Sequence, residues 1–199
     1  MQLHRIEPSE AFAKLFTRTI GLKEEEYVFV QAHFRREYLP RKHFLLRPGQ
    51  VCNLHSYLNK GCARTYTLDD DGGEHILFFA FEDWWMGDLE SIYTGQPSQL
   101  NIQAVEDCEF LCIPHTDFLA MESRFPKLKE WHEEKMFRNH YSFVSRLVEV
   151  KSLTTEERYL SLINRFPEIF QRVPLQYIAS FLDIEPPSLS RLRKRLSGK

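Results

Sequence analysis

Apolar positions follow two different rhythms along this chain. Between 43 and about 113 they come in short runs rich in aromatic and β-branched residues, separated by Pro48-Gly49, Asn59-Lys60-Gly61, Asp71-Gly72-Gly73 and Gly95-Gln96-Pro97. That spacing predicts an antiparallel all-β domain, a barrel-like roll or jelly roll. HILFFAF (75–81) is apolar on both faces and is expected at the centre of a sheet, whereas NIQAV and CEFLCI alternate as half-exposed strands do. Before this region, 8–20 (PSEAFAKLFTRTI) and 23–36 (KEEEYVFVQAHFRR) read as two amphipathic helices, with Phe12, Leu15 and Phe16 on one side of the first. Glu24, Glu25 and Glu26 fall in the first turn of the second, where negative charge offsets the helix dipole.

After a short helix over 116–123, Pro126 opens a long helical stretch to about 150, in which Phe137, Tyr141, Val144, Leu147 and Val148 form a sustained apolar stripe. A helix of that length either spans the molecule or pairs with a copy of itself, and the stripe with its flanking charge favours pairing. Thr154 with Glu157 three residues later is a capping box that starts the next helix, so a hinge is expected near 151–154. The last stretch, VPLQYIASFLDIEPPSLSRLRKRL (173–196), has the spacing of a helix-turn-helix. Ile178, Ala179, Phe181 and Leu182 give its first helix a packing face, and small Ala179 admits the second helix closely. Asp183 takes the turn because its side chain tolerates a left-handed backbone. Leu189, Leu192 and Leu196 form the packing face of the second helix, which turns Ser190, Arg191, Lys194 and Arg195 outward.

Charge sharpens that reading. The whole chain carries a net charge of −2, but residues 151–199 hold 9 Lys+Arg against 5 Asp+Glu, or +4, leaving −6 for the first 150. Cations, hydroxyls and an arginine able to grip guanine are what a DNA-binding face needs. The first residues contain no apolar core of a signal peptide, and no apolar run approaches the length of a membrane span; a cytoplasmic protein with no membrane association is expected. Cys52, Cys62, Cys108 and Cys112 fit no zinc or redox spacing, and Cys108, Phe110 and Cys112 share a strand face, so they read as small buried thiols. The eight histidines make no His-x-His or His-x-x-x-His pair. A metal-dependent enzyme has little to build on, and the chain is expected to be neither an enzyme nor a holder of a metal or cofactor.

A β-roll, a long following helix and a terminal helix-turn-helix together resemble the CRP/FNR family of bacterial transcription regulators, whose sensor domain has the cyclic nucleotide-binding fold. The likeness rests on RPGQVCNLHSYLNKGCARTY, on the DDDGGEHILFF hairpin, and on WMGDLESIYTGQPSQLNIQA, which looks like the family's phosphate-binding cassette. The resemblance implies an α+β chain. Residues 1–150 would be a jelly-roll-like sensor domain with its dimerisation helix over about 126–150, and 151–199 a small helix-turn-helix domain without the second half of the usual wing.

It also implies an effector pocket at Gly87, Asp88 and Leu89, which stand in the family's Gly-Glu-Leu. Where members that bind cyclic AMP place an arginine and a hydroxyl residue, this chain has Ser98 and Gln99. The hydroxyl positions on the long helix that face the base become Phe143 and Val144. Cyclic AMP is therefore not the expected effector, although Asp88 retains a carboxylate for a ribose hydroxyl. In the recognition helix, Pro186 and Pro187 fall on two family base-contact positions and Arg191 on the third. Ser188, Ser190, Lys194 and Arg195 lie beside it toward the phosphates. The expected partners are double-stranded DNA, a second copy of the chain, RNA polymerase and an unidentified small-molecule effector. The alternative left open by Pro186-Pro187 and the missing wing is a ligand-binding or interaction module with a degenerate helix-turn-helix.

Overall fold

A computed structural model describes residues 8–197, except for the side chains of Asn139, His140, Ser142, Phe143 and Ser197. Ser9 starts the first helix, its Oγ accepting from the Phe12 amide; α1 (Glu10–Lys14) then runs on through a π turn, Leu15–Thr19. The Glu26 carboxylate accepts from the Lys23 amide at 2.7 Å and opens α2 (Glu24–Gln31). Eight strands follow: β1 (Arg35–Leu39), β2 (Phe44–Leu46), β3 (Leu54–Lys60), β4 (Ala63–Leu68), β5 (Glu74–Ala80), β6 (Trp84–Met86), β7 (Asn101–Ala104) and β8 (Cys108–Pro114), with α3 (Leu89–Thr94) between β6 and β7. They form two four-stranded sheets in the orders β1-β8-β3-β6 and β2-β7-β4-β5, the interleaving that a double Greek key produces. Then come α4 (His115–Arg124), α5 (Pro126–Ser152), α6 (Thr155–Arg165), α7 (Ile169–Arg172), α8 (Leu175–Phe181) and α9 (Pro186–Ser197).

Three expectations from periodicity are corrected. Arg35 and Arg36 were expected in a helix but pair with Cys112 and Leu111 of β8, because strand pairing with β8 outweighs the local pattern. HILFFAF is an edge strand, not a central one. NIQAV and CEFLCI are buried on both faces, since β7 is covered throughout and the outer side of β8 is roofed by helices. Leu111 and Ile113 on that outer side pack with Phe12, Phe16, Val30, Phe34, Phe118 and Leu128 in one core. There Phe12 lies edge-on to Phe34 and Tyr57 at ring separations of 5.1 and 4.9 Å, the geometry that aligns ring edges with ring faces.

The chain divides into two compact units. One holds the chain up to Thr65 together with Phe79–Lys135; the other holds Tyr66–Phe78 and the chain from Met136 on. In the second unit the Thr154–Glu157 capping box forms as the sequence predicts, and Tyr159, Leu162, Ile169, Val173, Ile178, Ala179, Leu182, Leu189 and Leu192 are buried. Ser180 of α8 accepts from the Ile76 amide (3.2 Å) and donates to the Glu74 carbonyl (2.6 Å), placing one hydroxyl against the outer edge of β5. Arg146 of α5 donates to the Phe181 carbonyl at 2.7 Å while its guanidinium lies 3.9 Å above the Phe181 ring.

In the first unit, four titratable side chains from β3, α4 and α5 meet below the roll. His55 Nε2 lies 3.0 Å from His115 Nδ1, its ring stacks on Phe118 at 4.5 Å, and His132 Nδ1 sits 2.6 Å from Glu122 Oε1. Burial first, and then His132 and His115, push the His55 imidazole down to about 3. An unfolded histidine takes up its proton near pH 6.5. The stability that His55 contributes is therefore complete above about pH 6.5 and is lost as pH falls toward 3, at up to about 1.4 kcal/mol per pH unit. Urea unfolding at pH 6.5 and 5.5 is expected to show a loss of about 1 kcal/mol that His55→Asn removes. An unchanged pH slope in the variant would mean that another group titrates.

Candidate effector cavity and nucleic-acid interface

Beyond β6 the chain passes through Gly87 at φ 155°, a backbone conformation that L side chains rarely adopt, and an added Cβ would lie a tight 3.2 Å from both the Leu54 carbonyl oxygen and Ile92 Cδ1. Asp88 is the N-cap of α3. Its Oδ1 accepts from the amides of Glu90 (3.1 Å) and Ser91 (3.4 Å), and its Oδ2 accepts from Ser98 Oγ at 2.6 Å. Ser98 is 1% exposed. It is fixed by its own backbone, whose carbonyl accepts from Gly49 and whose amide donates to Gln50, both at 2.8 Å. Ser91 completes the loop by accepting from the Cys52 amide and donating to the Gln96 carbonyl.

Gly87, Asp88, Leu89 and Ser98 are therefore brought together, with Asp88 capping α3 and bonded to Ser98. The Asp88 carboxylate was expected to be open to a ribose hydroxyl, yet both of its oxygens are engaged within the chain. The reason is length: a side chain one methylene shorter than Glu turns back onto the amides of its own helix. The α3 amides that would meet an anion already face the protein's own negative charge. Leu89 is half-buried and Gln99 is exposed. Val144, 46% exposed, belongs to the other unit, and the side chain of Phe143 lies outside the described residues.

Next to Gly87 is a cavity of about 190 Å³, whose apolar wall is Leu45, Leu46, Val51, Leu54 and Ile102. Ser56, also in the lining, accepts from Cys112 Sγ of β8 at 3.3 Å. None of the four cysteines forms a disulfide, and all four are buried. Burial pushes Cys112 up to about 11 and Cys108 up to about 12, so both are protonated thiols at neutral pH and poor nucleophiles or metal ligands. Among the described residues no group of three or more His, Cys, Asp and Glu side chains is arranged to hold a metal ion, and no helix is long and apolar enough to cross a membrane. The lining and the His55 group come from segments far apart in sequence, and no local motif marks either.

The second candidate site is α9. The chain turns through Asp183 in the left-handed region, φ 58°, and Ala179 is fully buried beneath α9. Leu189 and Leu192 are buried, while Ser190, Arg191, Lys194 and Arg195 are exposed and Ser188 is half-exposed. The arginines differ in freedom. Arg191 donates from Nη2 to Ser188 Oγ at 3.2 Å, whereas Arg195 is paired with Glu156 of α6 at 2.5 Å. Arg193, which the sequence pattern does not single out, lies 4.1 Å above the Phe170 ring. Ser190 donates back to the Pro186 carbonyl at 3.1 Å.

Comparison with known proteins adds three findings. The family model of the cyclic nucleotide-binding domain matches residues 36–124. No curated protein sequence matches the chain. Solved structures share its fold. The c-di-GMP responsive global regulator CLP of Xanthomonas campestris is 14% identical, with 88% of this chain and 92% of that chain covered and a TM-score of 0.71. FixK2 of Bradyrhizobium japonicum is 11% identical, with 83% and 85% covered and a TM-score of 0.73. A mutant of CooA from Carboxydothermus hydrogenoformans is 17% identical, with 98% and 88% covered and a TM-score of 0.70, so the likeness of fold extends over the helices after the roll.

Proposed function

We propose that this chain is a homodimeric DNA-binding transcription regulator of the CRP/FNR type. Its β-roll senses a small molecule that is not cyclic AMP, and its α9 enters the major groove. The observation that carries the reading is the division of α9 into a buried leucine face and an exposed face bearing Arg191, beside a left-handed turn and a fully buried alanine. On this reading Arg191 reads a base, and Ser188, Ser190, Lys194 and Arg195 serve phosphates and the groove edge. Releasing Arg195 from Glu156 costs little, because an exposed ion pair is worth under about 1 kcal/mol. The apolar stripe of α5 supports the dimer: Phe137, Tyr141, Leu147 and Val148 are 73%, 68%, 61% and 57% exposed in the single chain. RNA polymerase is the further macromolecular partner that a regulator of this type implies.

The test is a mobility shift on sites recovered by capturing genomic DNA with the protein. Failure to retard any of them would favour the second reading, a ligand-binding or interaction module. That reading draws its support from Pro186 and Pro187, which occupy two positions where the family presents polar base contacts.

Cyclic AMP is expected to fail as effector for two physical reasons. A phosphate loses its charged partner where Ser98 replaces arginine, which removes about 1.5 to 3 kcal/mol, or roughly one to two decades of affinity. It also meets the Asp88 carboxylate at the head of α3. Calorimetry is expected to detect no binding in the low-micromolar range, and a low-micromolar isotherm would overturn this part of the proposal.

A further inference from the structure

The polar wall of the β-roll cavity is Gln50, Cys52, Asn53 and Ser56, closed at one side by Gly87. Together with the apolar wall this lining contains no charged side chain. Charge borders the lining on both sides in sequence, since Arg47 follows Leu46 and Asp88 follows Gly87, and the Asp88 backbone amide donates to Cys52 Sγ at 3.4 Å. An anion entering the cavity would find no cation in its lining. A cation would find no carboxylate in the lining, and the Asp88 carboxylate outside it is held in hydrogen bonds to the chain. Burying either charge without a partner is costly, so the lining selects neutral molecules.

Size narrows the class further. At about 190 Å³ the cavity exceeds the roughly 150 Å³ of apolar cavities that take up benzene, and it falls short of the roughly 300 Å³ at which drug-sized pockets begin. One ring or its equivalent fits, and a nucleotide does not. Ser56 then fixes the polarity of the ligand. It is 2% exposed, and its oxygen accepts from the Cys112 thiol, which leaves its own hydrogen to be donated.

From this lining we infer that the cavity binds a small uncharged molecule, about one six-membered ring in size, that carries a hydrogen-bond acceptor for Ser56. The inference deepens the sensor role proposed above by naming the class of effector. Its test involves no DNA, so its failure and the failure of the regulator reading are separable.

The experiment is calorimetry on the full chain at neutral pH with three probes of one shape and different charge: benzyl alcohol, benzoate and benzylammonium. Benzyl alcohol is expected to bind with a Kd of about 1 mM or tighter, and both ions at least about tenfold more weakly. Ser56→Ala is expected to weaken benzyl alcohol about fivefold, the share of one hydrogen bond. Val51→Trp, placed at a position 48% exposed so that folding is spared, is expected to abolish binding by filling the cavity; circular dichroism checks the fold of both variants. The inference is overturned if benzoate or benzylammonium binds as tightly as benzyl alcohol. It is equally overturned if none of the three binds at about 10 mM, or if benzyl alcohol binds unchanged to both variants.

Discussion

A chain carrying both Val144→Glu and Leu147→Glu is expected to sediment as a monomer at micromolar concentration, and the unsubstituted protein is expected to sediment as a dimer. The expectation follows from a contrast in burial. In the single chain these side chains are 46% and 61% exposed, so introducing glutamates changes the stability of the isolated fold by about 0.5 kcal/mol or less. In a seam between two copies of α5, the same substitutions bury four unpaired carboxylates at several kcal/mol, more than a helical interface of this length can absorb. Retained helicity with lost dimerisation is thus the signature of the seam. DNA affinity is expected to fall with it, because a monomer holds one half-site where a dimer holds two about 34 Å apart on one face of the duplex. A wild-type protein that is already monomeric under these conditions would remove the basis of the prediction.

Arg191→Ala is expected to cost about 1 to 3 kcal/mol on a specific site and to relax sequence preference at one position in each half-site. Its short tether to Ser188 leaves the guanidinium exposed on the side of α9 opposite Leu189 and Leu192. Lys194→Ala is expected to weaken all sequences alike and to lower the salt slope by roughly one for the phosphate that each subunit no longer neutralises, since a phosphate contact carries no sequence information. Binding titrations at several salt concentrations, on the captured operator and on a scrambled duplex, separate the two. An Arg191→Ala protein with wild-type affinity and preference on that operator would end the assignment of Arg191 to a base.

How far the sequence alone reaches is clearest in particular elements. The turn residues between strands were legible because Gly and Pro leave a local mark, and the capping box at Thr154 and the left-handed Asp183 were legible for the same reason. HILFFAF was misplaced because an apolar run reports burial on two faces and says nothing about which edge has a neighbour. The exposure expected for CEFLCI failed because what covers the second face of β8 is supplied by residues 12–34 and 118–128, about which the strand itself is silent.

At the cassette the motif pointed to the residues but not to the hydrogen bonds among them. Ser98 looked like a lost arginine, and only the 2.6 Å contact with Asp88 shows that the hydroxyl serves the helix cap. The cavity lining was illegible, because Leu46, Ser56, Gly87 and Ile102 converge from four separate segments.

The Ser180 hydroxyl has a consequence for anyone cutting this protein. A strand at the rim of a sheet invites another chain to pair with it, and here a single side chain from α8 fills the position of the absent neighbour along β5. Removing everything after Leu153 would yield a tidy-looking β-roll fragment whose Ile76 amide has lost its acceptor and whose Leu77 is 38% exposed before any cut is made. Such a fragment would carry an adhesive rim, so any self-association it shows in solution would reflect the cut and not the seam proposed along α5.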